Sequence, residues 1–288
     1  MAGFNECTRV QVPAALHLCR LGYTYFTEYG EGTPVGRLDK DNNVLTDEFI
    51  KALVRLNPEQ KLHDLQIFAK FALSKLGSDD LGREFYQVLS SNSGIKLIDF
   101  ENPENNSWLV TTELTCDNQE TGDSFRPDVT CFVNGLPLAF IEVKKPNNKN
   151  GIKAEYDRMN MRVQNKKFRR FINLTQIMVF SNNSPYDDNE VVPLEGAFYA
   201  TGGYEKLFFS HFREEDPAII CSVPEADEEK ENYILKDTNL VSIKHTPEYI
   251  TNRAIDTPTN SIITSLFSFE RLLTFLKYAI AYVEKTDD

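Results

Sequence analysis

The chain of 288 residues is 41% hydrophobic and 26% charged, with a formal net charge of -12, the make-up of a soluble globular protein built as one large domain or a core with appendages. Its longest apolar runs, 262–267 and 274–283, fall far short of the roughly 20 residues that cross a bilayer. Residues 1–9 lack a basic segment leading into an apolar one, so a cytoplasmic location with no membrane partner is expected.

In chain order, residues 12–21 read as an apolar helix closed by Gly22, followed by the aromatic run 23–26 and a Gly- and Asp-rich loop over 30–43. Two helical patterns follow, 47–56 and 62–76, the second with Leu65, Phe68, Ala69, Ala72, Leu73 and Leu76 on one stripe and Gly77 ending it. Ser78-Asp79-Asp80 offers N-cap chemistry for a helix through Leu89. Residues 108–116 alternate as a strand, and 128–133 and 138–144 form two more, joined at Asn134-Gly135, a strong hairpin signal. A polar, basic helix is expected over 153–167, a strand buried on both faces over 176–180 and an outer strand over 197–201. An acidic, loop-rich region over 213–237 precedes one or two terminal helices over 261–283.

The five cysteines (Cys7, Cys19, Cys116, Cys131, Cys221) contain no C-x-x-C pair, which argues against a disulfide framework or a zinc knuckle, and the four histidines are scattered. Charge is not evenly spread. Residues 144–170 hold ten basic side chains against Glu155 and Asp157, a local +8 on a chain of -12, so the remainder carries -20. Such focusing fits one phosphate-binding face; the alternative is an ordinary solvated helix face.

Phosphodiester hydrolysis needs a divalent cation and a positive group near the nucleophile or the developing charge, and Mg²⁺ takes one or two carboxylates plus waters. On a strand of period two, Glu142 and Lys144 share one face while Ile141 and Val143 share the other. Asp128 begins the preceding strand, where a hairpin can bring it beside Glu142. A simple two-residue turn, however, pairs Pro127 with Glu142 and sends Asp128 to the opposite face. A β-bulge or longer loop is therefore predicted, with Pro137 as its expected site because it has no N–H for the ladder. The alternative is that Glu142 and Lys144 are an exposed pair on a solvated sheet face.

The pattern R-P-D-V-x-x-F-V-N-G-L-P-L-x-x-I-E-V-K-x-P at residues 126–146 closely resembles the N-terminal region of the R (restriction) subunit of type I restriction-modification enzymes. The approach Leu97-Ile98-Asp99-Phe100 to Trp108, the Gly82-Arg83-Glu84-Phe85 segment and the terminal helices resemble it too. That family belongs to the PD-(D/E)xK nuclease superfamily. The resemblance implies an α/β fold with a restriction-endonuclease-like α-β-β-β-α-β core and a mixed central sheet, flanked by N-terminal and C-terminal helical segments. Residues 1–77 would be an extension packed on the core, 78–205 the nuclease core, and 206–288 an acidic loop and helices leading toward an ATPase motor.

The resemblance further implies that Asp128, Glu142 and the Val143 carbonyl bind Mg²⁺, for which Mn²⁺ substitutes, and that Lys144 orients or activates the attacking water. Gln164 is the best match to the first residue of the family's Q-x-x-x-Y motif, with Phe168 in place of the tyrosine, and Glu84 is the candidate for an acidic residue on the first core helix. Lys145, Lys149, Lys153, Arg162, Lys166 and Lys167 are the candidate contacts to double-stranded DNA. No G-x-x-x-x-G-K-[ST] loop occurs, so ATP is expected to bind only in a motor region outside this chain. The expectation is thus an N-terminal nuclease fragment working with methyltransferase and specificity subunits. A noncatalytic DNA- or subunit-docking module is the competing reading.

Overall fold

Asn134 and Gly135 both adopt left-handed backbone (φ 53° and 79°), which closes a two-residue turn between the central strands. The computed structural model describes residues 5–27, 38–91, 94–117, 124–146, 148, 150–186, 195–203, 206–211 and 216–283. Most of the expected 30–43 loop, the start of the acidic region and the last five residues lie outside these.

The described elements begin with a π-turn at Cys7–Gln11 leading into α1 (Val12–Arg20) and β1 (Thr24–Tyr25). A ribbon of β2 (Leu38–Asp39) and β3 (Val44–Leu45) precedes α2 (Thr46–Leu56), α3 (Leu62–Ser74) and α4 (Arg83–Leu89). Next come β4 (Trp108–Thr112), the paired β5 (Cys116–Asp117) and β6 (Ser124–Phe125), then β7 (Val129–Val133) and β8 (Leu136–Val143). α5 (Gly151–Gln164), α6 (Arg169–Leu174), β9 (Ile177–Ser181) and β10 (Ala197–Ala200) complete the centre. The C-terminal part is helical: α7 (Pro217–Ser222), α8 (Glu228–Asp237), α9 (Pro247–Asn252), α10 (Pro258–Phe267) and α11 (Phe269–Thr274).

Six strands form one mixed sheet in the order β1-β4-β7-β8-β9-β10, with β1 parallel to β4, β8 parallel to β9 and the other pairs antiparallel. This is the expected α/β architecture, with the N-terminal segment contributing an edge strand. Alternate residues of β8 enter different cores. Ile141 and Val143 pack with α1 and α10 on one face; Phe140 joins Phe125, Phe171 and Phe180 under α5 and α6 on the other. Both faces being covered explains why every residue of β8 is buried.

Three local expectations change. The helix expected from Ser78 starts only at Arg83, because Asp80 supplies the cap by accepting from the Gly82 and Glu84 N–H groups at 3.0 and 2.8 Å. The strand expected over 108–116 stops at Thr112, since Glu113 turns into left-handed backbone (φ 53°) and donates its N–H to the Asp128 carbonyl. The acidic region is less irregular than its charge suggests: Asp227 caps α8, which buries Ile234 and Leu235.

His17 on α1 is wholly buried. Arg20, which can only donate, faces its Nδ1 at 3.5 Å, leaving Nε2–H to donate to Thr264 Oγ1 at 2.8 Å. Burial, with the Arg20 charge adding, pushes this imidazole down to about 3. The folded state thus stays neutral while the unfolded chain takes up a proton below its ordinary value of about 6.5. Stability contributed here is complete above that value and is lost as the pH falls toward the folded one, at about 1.4 kcal/mol per pH unit. Denaturant unfolding at pH 7, 6, 5 and 4 is expected to show that extra acid slope relative to His17→Gln; equal slopes in the two proteins would refute it.

Candidate active site

The turn pairs Val133 with Leu136, whereas further along Cys131 pairs with Ala139 and Val129 with Ile141. One extra residue of β8 is therefore taken up at Pro137-Leu138, opposite Phe132: the expected bulge at the expected proline. Continued by one residue, the shifted register sets Asp128 across from Glu142. Asp128 Oδ2 accepts the Val143 N–H at 2.7 Å, and Gln11 on the N-terminal π-turn donates its Nε2–H to the Asp128 carbonyl at 2.8 Å. Hydrogen bonds on both sides thus fix the start of β7.

Lys144 follows the end of β8, tied to β9 by its N–H to the Ser181 carbonyl at 2.8 Å. Its Nζ donates to the Val143 carbonyl at 2.8 Å and stands 4.0 Å from Asp128 Oδ2, 3.8 Å from Glu142 Oε2 and 3.5 Å from Glu155 Oε2. The structure thus brings together Asp128, Glu142, Val143 and Lys144. The alternative of an exposed, solvated pair does not hold: the Glu142 and Lys144 side chains are 6% and 13% exposed.

The electrostatics follow from this crowding. Burial first, then the Asp128 and Glu155 charges, force Glu142 well above the usual carboxylate range. Burial also raises Asp128, against the pull of Lys144 and of the Val143 N–H. For Lys144, burial opposes the charge, but Asp128, Glu142 and Glu155 together raise it above its ordinary value. Glu142 Oε1 is buried without a hydrogen-bond partner, an expensive state for a carboxylate oxygen. Among the described residues no three His, Cys, Asp or Glu side chains form a ready metal cage. Two carboxylates and a main-chain carbonyl are nevertheless a donor set that suits Mg²⁺, which keeps several of its waters, and the unpartnered Oε1 fits such a cation.

Glu84 is not brought here. Its carboxylate lies 3.0 Å from Lys75 Nζ and accepts from Ser78, lining a groove with Phe68, Phe71 and Gln87. The acidic side chain that the site does receive is Glu155, which sequence reading treated as part of a basic surface. A signal was present: Ile152, Glu155 and Met159 fall on one helical stripe, and all three are buried. Glu6, just ahead of the π-turn, is a further acidic group whose charge reaches Asp128 and Lys144. Gln164 is the exposed last residue of α5, about 13 Å along the helix axis from Glu155 at 1.5 Å per residue. Phe168 is buried against Phe125 in the aromatic core.

The basic segment is partly consumed by internal partners. Arg158 and Arg162 turn to Glu155 (2.7 and 3.3 Å), Lys153 pairs with Asp157, and Arg169 pairs with Asp79 at 3.0 Å. Arg162 is therefore inward-facing, while Lys145, Lys153, Lys166 and Lys167 are exposed; Lys149 lies outside the described residues.

Residues 3–188 match the family described as the N terminus of the type I restriction enzyme R protein. Similar curated proteins include a putative type I restriction enzyme MjaIXP endonuclease subunit of Methanocaldococcus jannaschii, 28% identical over 204 residues, or 63% of this chain and 19% of that protein. The HindI endonuclease subunit of Haemophilus influenzae is 29% identical over 147 residues, 44% of this chain and 14% of the relative. A putative MjaVIIIP endonuclease subunit of M. jannaschii is 36% identical over 100 residues, 34% of this chain and 9% of the relative. The chain spans less than a fifth of the length of these relatives.

Proposed function

Because the chain belongs to the family of type I restriction enzyme R protein N termini, we propose that it is the Mg²⁺-dependent endonuclease domain of such a subunit, hydrolysing phosphodiester bonds of double-stranded DNA. Recognition would fall to partner methyltransferase and specificity subunits, and ATP-driven translocation to a motor in the rest of a full-length subunit. The observation that carries this reading is the bulged register at Pro137-Leu138, which puts Asp128 and Lys144 in one cluster with the buried Glu142.

Asp128, Glu142 and the Val143 carbonyl would hold the cation. When bound, Mg²⁺ supplies charge to polarise the phosphate and to lower the pKa of water. Lys144 orients the attacking water and offsets charge developing on the phosphate through Nζ. The exposed Lys145, Lys153, Lys166 and Lys167 meet the DNA backbone, so binding is salt-dependent and blind to sequence. A net charge of -12 makes this face a weak DNA binder by itself, consistent with DNA being delivered by partners.

Calorimetric titration of the chain with Mg²⁺ or Mn²⁺ tests the reading. Binding is expected that is lost in Asp128→Asn and in Glu142→Gln, both still folded by circular dichroism. Absence of any binding that depends on these two carboxylates would make the chain a noncatalytic docking module instead.

A further inference from the structure

Glu155 and its two arginines are not used by the chemistry described above, yet Glu155 is the most deeply buried charged side chain at the site. The Glu155 side chain is 1% exposed, and both of its oxygens are occupied: Oε2 by Arg158 at 2.7 Å, Oε1 by Arg162 at 3.3 Å. Arg162 is itself planted 4.2 Å above the Phe125 ring, which belongs to the aromatic core beneath α5. The helix can bring this clamp so close because Gly151 has no side chain; a Cβ there would lie 3.0 Å from Lys144 Cβ and 2.9 Å from the Asn148 side chain. One turn later Glu155 reaches the ammonium.

Lys144 Nζ lies among three carboxylates, at 3.5, 3.8 and 4.0 Å from Glu155, Glu142 and Asp128. With Asp128 and Glu142 committed to a divalent cation, their attraction for Lys144 is cancelled and the added positive charge repels the ammonium. Glu155, at 3.5 Å, is then the carboxylate in direct contact with the ammonium that the cation does not claim. We propose that Glu155, clamped by Arg158 and Arg162, is a positioning residue that holds Lys144 at the site once the other two carboxylates bind a cation. This rests on the nuclease reading. With both oxygens engaged by arginines, Glu155 serves the lysine rather than acting as a third cation ligand.

The test is a crystal structure of the chain grown with Ca²⁺, beside that of Glu155→Gln, together with cleavage by the enzyme assembled around a full-length subunit. In the wild type, Ca²⁺ is expected on Asp128 and Glu142 with Lys144 Nζ still within 4 Å of Glu155. In Glu155→Gln, Ca²⁺ is expected at the same place with the lysine turned away. Cleavage should fall by about 10- to 100-fold in kcat, as for other outer-sphere residues, with KM for DNA unchanged and Glu155→Asp partly restoring the rate. Ca²⁺ on Asp128 and Glu142 with Lys144 away from Glu155, or with Glu155 itself on the ion, overturns this proposal alone. No cation at these carboxylates overturns the nuclease reading and the proposal with it. The wild-type crystals decide the matter even if Glu155→Gln fails to fold.

Discussion

Lys144→Ala is expected to cut DNA cleavage by the assembled enzyme by about 10³-fold or more while leaving divalent-cation binding intact. Such a loss is the usual scale for removing a group that moves a proton or offsets transition-state charge in a buried site. Nζ stands within 4.0 Å of Asp128 Oδ2 and Glu142 Oε2, and Glu142 Oε1 is left without a hydrogen-bond partner. Removing a positive charge beside two carboxylates tightens, rather than weakens, their hold on a cation. Calorimetry should therefore show Mg²⁺ affinity equal to or above wild type in the same protein that no longer cuts. ATP hydrolysis by the full-length subunit should continue. Without added cation the variant is expected to melt below wild type, because the buried Glu142 and half-buried Asp128 carboxylates have lost their counter-charge; saturating Mg²⁺ should restore it by mass action. Cleavage at the wild-type rate would exclude Lys144 from the chemistry.

Asn134→Ala is expected to destabilise the fold by about 4 kcal/mol. The Asn134 side chain is fully buried and joins four groups: it donates to the Leu97 carbonyl (2.9 Å) and Asn106 Oδ1 (2.8 Å) and accepts from the Ser107 N–H (2.8 Å) and Arg55 (3.0 Å). Alanine leaves buried donors and acceptors unmet, at about 1–3 kcal/mol each where water cannot replace the partner. It must also adopt φ 53°, which costs a further ~1 kcal/mol without the asparagine side chain. At the scale for chains of this size, the midpoint should fall by about 10 °C. Gly135→Ala should do similar harm, since its Cβ would sit 2.7 Å from the Leu45 carbonyl oxygen and the Phe49 nitrogen. A drop below about 3 °C for Asn134→Ala would show that the network is replaceable. The same turn anchors the register that carries Asp128 to Glu142, so cation binding should weaken before the fold is lost.

Part of the site was legible because it is local. Glu142 and Lys144 share a face by the period of a strand. Asp128 was not placed by counting: simple pairing at the Asn134-Gly135 turn sends it to the opposite face, and only the requirement that it join Glu142 called for a bulge, which Pro137 was suited to absorb. Nor were Glu84 and Gln164 placed by counting, because their assignment depended on where whole helices sit relative to the sheet. α4 carries Glu84 to Lys75, and the site end of α5 is its beginning rather than its end.

The basic run from 144 to 170 shows the same division. Its composition was plain in the sequence, but the sign of a charge does not reveal whom it faces, and three of its cations converge on Glu155 inside the protein. By itself, then, the sequence determined the central strands, the turn and the shared face of Glu142 and Lys144, all set by backbone periodicity over a few residues. Only the tertiary structure decided that Glu155 is buried beside the lysine and that much of the positive charge is spent inward. The period of α5 sets Glu155 on the stripe of Ile152 and Met159, but that this stripe meets Lys144 depends on where the helix sits and on its close approach at Gly151, which packing against the aromatic core sets.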